Sequence, residues 1–252
     1  MTGGTGTIGR HVVAELAARG HEVRALSRRS ERYPVDLTTG AGLAAALAGV
    51  DVVVDASNAS SSTKAARATL VDGTRRLLAA EHDAGVGHHV LVSIVGCHDV
   101  PMAYYGVKVE QEQVVAAGGV PSTVVAVTQF HEFVATTFGA AARRGVVPLL
   151  RAPVQPIAAA DAATAVADVA TREPLHGTTS VAGPELLDLR DVARSWRSAT
   201  GSRALPVRVP LPGGLGRVLR AGGLTEARPD VRGTTTFGDW LAARRTARDS
   251  AR

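Results

Sequence analysis

The chain has 252 residues, a formal net charge of +5, 45% hydrophobic residues and one cysteine, Cys97. That length suits one large domain, or one domain carrying a lobe, and it buries enough surface to fold without cross-links. A lone cysteine excludes an intramolecular disulfide and fits a reducing, cytoplasmic setting, and no apolar run reaches the roughly 18 residues of a membrane span, so no membrane partner is expected.

The chain opens on Thr2-Gly3-Gly4-Thr5-Gly6-Thr7-Ile8-Gly9, a glycine-rich loop, followed by a helical pattern over 8–19 that Gly20 stops. Apolar runs at 22–26, 35–37 and 50–55 read as strands, with a short helix at 42–48 and a polar loop at 58–62. A long helix is expected over 63–84, a buried strand over 89–95, a helix over 102–117, a strand over 122–128 and a helix over 129–144. Beyond residue 150 the rhythm loosens: a strand at 154–157, a helix over 162–171 capped by Asp161, a strand at 178–182, and a helix from Asp188. Loop and short helix fill 206–216, and a helix over 237–245 closes the pattern. Alternation of this kind predicts a Rossmann-like, doubly wound parallel α/β sheet over residues 1–150 and a smaller substrate-binding lobe over 151–252.

Basicity does not single out nucleic acid as the main partner. Lys64 and Lys108 are the only lysines, and the arginines are scattered apart from pairs such as Arg28-Arg29 and Arg75-Arg76. The tail 244–252 reads as a solvated end, and no zinc-finger or RNP-type motif accompanies the charge.

The chemistry concentrates in a few places. Gly3, Gly6 and Gly9 have the spacing of a dinucleotide loop: a tight turn, a close approach to pyrophosphate, and a helix packed near the sheet. Thr7 and Ile8 lie where such a loop meets phosphate, at the positive end of the following helix. Ser27 and Arg28 end the second strand, where an acid would favour NAD and an arginine meets the 2′-phosphate of NADP. The sequence therefore points to NADP ahead of NAD, with solvated loop charge as the plainer alternative. Asp36 and Leu37 fall at a strand end where an adenine amino group and a backbone amide would meet, and Ala56 and Ser57 are small enough to let a cofactor pass. Asp36 and Asp55 read equally well as turn-formers.

Tyr104 and Lys108 stand at i and i+4 on one helix face, with Ser93 late in a buried strand. A lysine beside a phenol lowers the phenol's pKa, and such a tyrosine exchanges protons with a carbonyl or alcohol. His88 and His89 read as a solvated strand entry, and no third ligand accompanies them, so no metal site is expected. His131 and Glu132 face either the pocket or the helix surface. Cys97 reads as inert packing near the pocket.

Together these stretches resemble the short-chain dehydrogenase/reductase superfamily, and more narrowly its atypical, NmrA-like NAD(P)H-binding branch. The likeness also rests on Thr128-Gln129-Phe130, on Pro156-Ile157 leading to Asp161, on the turn 182–185 and on Phe237-Gly238-Asp239-Trp240. It implies Tyr104 as acid/base, Lys108 as its partner and ribose ligand, Ser93 as polariser, and Gln129 at the nicotinamide. The activity so implied is an NADPH-dependent reductase of a small carbonyl or quinone-like substrate, acting as monomer or homodimer. A non-catalytic NADP(H)-binding sensor is the alternative.

One element is missing from this pattern. Only Met1 and Thr2 precede the loop, where a strand belongs. That strand is central in a doubly wound sheet, so the sequence predicts an apolar strand upstream of Thr2.

Overall fold

The computed structural model describes residues 1–250, with side chains described for residues 1–247; of the tail expected to be solvated, residues 251–252 lie outside this range. Helix α1 (Gly9–Ala18) follows the glycine loop and buries Val12 and Leu16. Helix α2 (Leu43–Leu47) leads to strand β1 (Val52–Asp55). The long helix expected over 63–84 forms in three parts: α3 (Thr63–Ala66), a π-turn over Arg67–Val71 and α4 (Asp72–Ala84). The Ser62 hydroxyl caps its start by accepting from Ala65 N at 3.1 Å. Strand β2 (His88–Ile94), helix α5 (Ala103–Ala116), strand β3 (Ser122–Val127) and helix α6 (His131–Ala142) continue the alternation.

The last hundred residues hold β4 (Val146–Leu149), β5 (Pro153–Val154), α7 (Ala159–Ala170), β6 (Gly177–Ala182), β7 (Leu187–Asp188) and α8 (Leu189–Thr200). Strand β8 (Leu205–Arg208), α9 (Gly213–Arg220), β9 (Val231–Arg232) and α10 (Phe237–Ser250) complete the chain. Strands β1-β2-β3-β6-β9 form one parallel sheet in that order. Residues beyond 150 thus supply two of its strands, together with α7, which packs on α1.

Continuous apolar runs in β1, β2 and β3 are explained by burial on both faces. Val54, Val90 and Val125 meet α1 and α7, while Val53, Leu91 and Val124 meet α2, α4 and α5. A third cluster joins α6, α8 and α10 through Phe138, Trp196, Phe237 and Leu241. The pairing of β4 with β8, in a stretch expected to be loop, is a correction: Val147 is buried there and draws the 205–208 segment alongside.

At the N-terminus the strand expected over 22–26 pairs only at its end. Thr2 bridges Leu26 on one side and Asp55 on the other, both parallel. Thr2 N donates to Val54 O at 2.9 Å and Leu26 N donates to Met1 O at 2.8 Å. These two residues thus hold the central place between the 22–26 segment and β1. Behind Met1 the slot is a cavity of about 500 Å³, lined by Leu16, Val23, Leu26, Leu47 and Val52 among others. Met1 N donates to Arg24 O at 3.0 Å, and among the described residues nothing else pairs with the 22–25 backbone, so it forms no ladder.

Two further corrections concern buried polar groups. His88 and His89 are not solvated: His88 bonds Thr123 Oγ1 at 2.9 Å, and His89 Nδ1 lies 2.9 Å from both oxygens of Glu81, with both side chains fully buried. Burial pulls the imidazole of His89 down, but the carboxylates of Glu81 and Asp55 outweigh it and hold the group above its ordinary value. Asp161 does not cap α7, which begins two residues earlier with Ala158 at its cap. Its carboxylate instead accepts from Thr234 N at 2.6 Å and Thr235 N at 2.7 Å, anchoring the segment before α10.

Candidate functional site

The C-terminal ends of β1, β2 and β3 open on one edge of the sheet, which is where parallel α/β sheets bind ligands. The glycine loop crosses this edge first. Gly3 has φ +65°, and a Cβ there would lie 2.4 Å from Ala56 O; a Cβ on Gly9 would lie 2.0 Å from Gly3 O. Both positions therefore exclude a side chain. Gly6 N donates to Gly3 O at 2.9 Å, closing the turn, and Thr7 stays exposed while Ile8 is buried at the start of α1.

Ser27 bridges Pro34, and Arg28 and Arg29 follow as exposed residues at the end of the 22–27 segment. The Asp36 carboxylate accepts from Thr38 N at 2.8 Å and from Thr38 Oγ1 at 2.7 Å, and these bonds, helped by the Arg28 charge, hold it below the usual carboxylate range. Leu37 is half-buried against Gly73.

Asp55 closes β1 and is fully buried. Its oxygens take Thr2 Oγ1 at 2.5 Å, Ser57 N at 2.9 Å and Gln111 Nε2 at 3.2 Å. Burial opposes ionisation of Asp55, yet His89 and these donors win and keep the carboxyl low. Asp55 thereby shapes the bend that places Ala56 and Ser57 over the loop.

Two residues at this edge carry buried polar atoms with no protein partner: Ser57 Oγ, and both Nε2 and Oε1 of Gln129. Such atoms are costly to leave unmade, so their presence marks a place for a polar ligand. With the glycine cradle, they fit the phosphate and carboxamide groups of a dinucleotide.

The Tyr104, Lys108 and Ser93 set departs from its expected arrangement. Tyr104 Oη donates to Asn58 Oδ1 at 2.8 Å. Lys108 turns into the sheet, where Nζ donates to Val92 O at 2.9 Å and Gln111 Oε1 at 2.6 Å. The expected lowering of the phenol is corrected accordingly: burial, with Tyr105 adding to it, pushes Tyr104 up to about 12. Burial likewise pulls Lys108 down from its ordinary value. Ser93 Oγ makes a short hydrogen bond to Glu112 Oε1.

Asn58 opens the polar loop that the sequence places after the 50–55 strand, at the ligand-binding side of the sheet. Glu112 escaped the sequence reading, although it lies one helical turn after Lys108, a visible i+4 signal on the same face. His131 is buried, bonds Thr235 O at 3.1 Å through Nε2 and packs edge-on to Phe237. Glu132 holds Ala159 N and Trp240 Nε1.

A parallel sheet with a glycine cradle and unpartnered polar groups at its strand ends defines a dinucleotide-binding α/β fold. Sequence comparison places the chain within it. A family model described as NAD(P)H-binding matches residues 3–173, and the chain belongs to that family. A 3-beta-hydroxysteroid dehydrogenase of Mycolicibacterium neoaurum is 30% identical over 123 residues, 40% of this chain and 34% of that enzyme. The chain thus spans about a third of that curated relative. Among solved structures, the NADPH-dependent quinone oxidoreductase QOR2 of Escherichia coli, complexed with NADPH, superimposes with a TM-score of 0.74 at 20% identity, covering 96% of this chain and 98% of that one. A nucleoside-diphosphate-sugar epimerase of Staphylococcus aureus gives 0.76 at 15% identity, covering 95% and 98%. Among the described residues no helix is long and apolar enough to cross a membrane.

Proposed function

We propose that the protein is an NADPH-dependent reductase of a small carbonyl or quinone-like substrate. The observation that carries this reading is the set of unpartnered buried atoms, Ser57 Oγ next to the Gly3 turn of the cradle and the Gln129 amide just past the end of β3. A bound reduced nicotinamide supplies hydride. Gln129 would hold the carboxamide, the cradle and Thr7 the pyrophosphate, and Arg28 the 2′-phosphate. Leu37 and Asp36 would border the adenine. Tyr104, with its phenol pushed up to about 12, is protonated at neutral pH and so is set to donate a proton to the reduced oxygen. Asn58 keeps that phenol oriented until substrate arrives. Ser93 would bond the same oxygen once its hydroxyl leaves Glu112.

A second reading is favoured by Lys108, whose ammonium is spent on Val92 O and Gln111 rather than on Tyr104. In it the chain binds NADP(H) and reports its redox state to a partner without turnover. Cofactor titration followed by a carbonyl and quinone panel separates the two. The reductase reading expects NADPH to bind more tightly than NADH, with the preference lost in Arg28→Ala, and turnover lost in Tyr104→Phe. NADPH oxidation undiminished in Tyr104→Phe would count against it, as would equal affinity for both cofactors. Redox-dependent binding of a partner with no turnover on the panel would establish the sensor.

A further inference from the structure

Three unlike donors meet beside Ser93. Cys97 and His98 sit in the turn after β2, closed by hydrogen bonds from Cys97 N to Ile94 O at 3.2 Å and from Val100 N to Gly96 O at 3.1 Å. Glu112, on α5, faces both. His98 Nε2 lies 2.6 Å from Glu112 Oε2, and Cys97 Sγ lies 3.3 Å from Glu112 Oε1. One ligand atom from each residue falls within 4.8 Å of the other two. Tetrahedral zinc with its usual bond lengths sets its donors about 3.3–3.8 Å apart; the Cys97–Glu112 separation meets the near end of that span, and the exposed His98 ring must draw back from Glu112 to reach it.

We propose that Cys97, His98 and Glu112 form a binding site for a divalent transition-metal ion of the zinc or cobalt class. The donor set selects the class. Thiolate and imidazole suit a borderline-soft ion, and a single carboxylate is too few oxygens for calcium or magnesium. Two of the donors come from a hydrogen-bonded turn and the third from a helix, so little chain must be ordered for the ion to bind. His98 is 60% exposed, which opens the path of entry, while Cys97 is buried at the inner end. Three protein ligands leave a fourth position open to water.

On binding, the Cys97 S–H bond breaks, its proton leaves to solvent and a sulfur–metal bond forms, with His98 ligating as the neutral imidazole. Glu112 then exchanges its bond from Ser93 for the metal, so occupancy frees the Ser93 hydroxyl. Sequence spacing hides this site, because Glu112 lies on a different element from the Cys97-His98 pair.

Titration of the reduced, chelator-stripped chain with Co²⁺ alone tests the assignment. A thiolate-to-cobalt charge-transfer band and tetrahedral visible bands are expected, saturating at one ion per chain with one proton released. Zn²⁺ should displace the cobalt and remove both. His98→Ala, on the exposed side of the turn, should weaken binding by more than about tenfold, and Glu112→Gln should do the same. A spectrum that stays that of aqueous cobalt overturns the site. A band of unchanged affinity in His98→Ala also overturns it, because a bare thiol then accounts for the signal; this variant alone decides should Glu112→Gln fail to fold.

Discussion

Extending the chain by four apolar residues ahead of Met1 should stabilise it strongly. From the Thr2 register, two added residues come level with Val53 and Val52, and two more reach the cavity wall at Val50 and Asp51. Burying four such side chains is worth about 2 kcal/mol each. Four new ladder bonds add about 1 kcal/mol each. Ordering the segment costs about 2 kcal/mol per residue. The net gain is about 4 kcal/mol, or roughly 10 °C in Tm for a chain of this size. Extension also removes a buried charge. Met1 N lies inside, bonded to Arg24 O at 3.0 Å, and burial lowers its amine from 8.0 to about 6. A folded pKa below the unfolded one means stability is full above pH 8, falls between pH 8 and 6, and is flat below. That step amounts to about 3 kcal/mol and should vanish in the extended chain. Thermal melts at pH 6 and pH 8, against a polar four-residue extension, make the comparison. Equal Tm for apolar and polar extensions would show that the slot does not accept a strand and would refute the reasoning.

Gly9→Ala places a methyl 2.0 Å from Gly3 O, so the loop must shift; NADPH affinity measured by fluorescence should fall at least about tenfold. Glu81→Gln breaks the fully buried pair with His89 and should cost about 3 kcal/mol in urea unfolding, unlike an exposed ion-pair loss, which costs under about 1 kcal/mol. Asp161→Asn weakens the bonds to Thr234 and Thr235 and should cost about 2 kcal/mol. Because the Asp161 carboxyl is held below its ordinary range, its contribution is present above that range and lost as pH falls through the folded pKa, so the variant should show a shallower acid limb in stability against pH.

The parallel order of the sheet was legible because each element announces itself locally: apolar runs of strand length, helical periodicity, and glycine where chains turn. The phosphate loop was legible for the same reason, since its constraint lies within seven consecutive residues. What escaped depends on register between distant segments. Whether His89 meets water or Glu81 is decided by how β2 lies against α4. Tyr104 and Lys108 share a helix face as their spacing requires, yet their partners are set by Asn58 and Gln111, and the direction of the tyrosine's pKa shift follows burial. The 205–208 strand has too few side-chain cues to be seen without β4 beside it.

Helix α7 brings a final consequence. Its buried residues are alanines except for Val166, and it lies directly on α1. The small side chains of α7 let α1 approach closely, so a longer one has only Val12, Leu16 and the body of α1 to press against. Enlargement at Ala162, Ala163 or Ala167 should therefore push on α1, whose first turn carries the glycine cradle. In a mutational screen these positions, far from any reacting atom, would score as determinants of cofactor affinity, and a drifted version of the family would reveal its lost binding there as readily as in the loop itself.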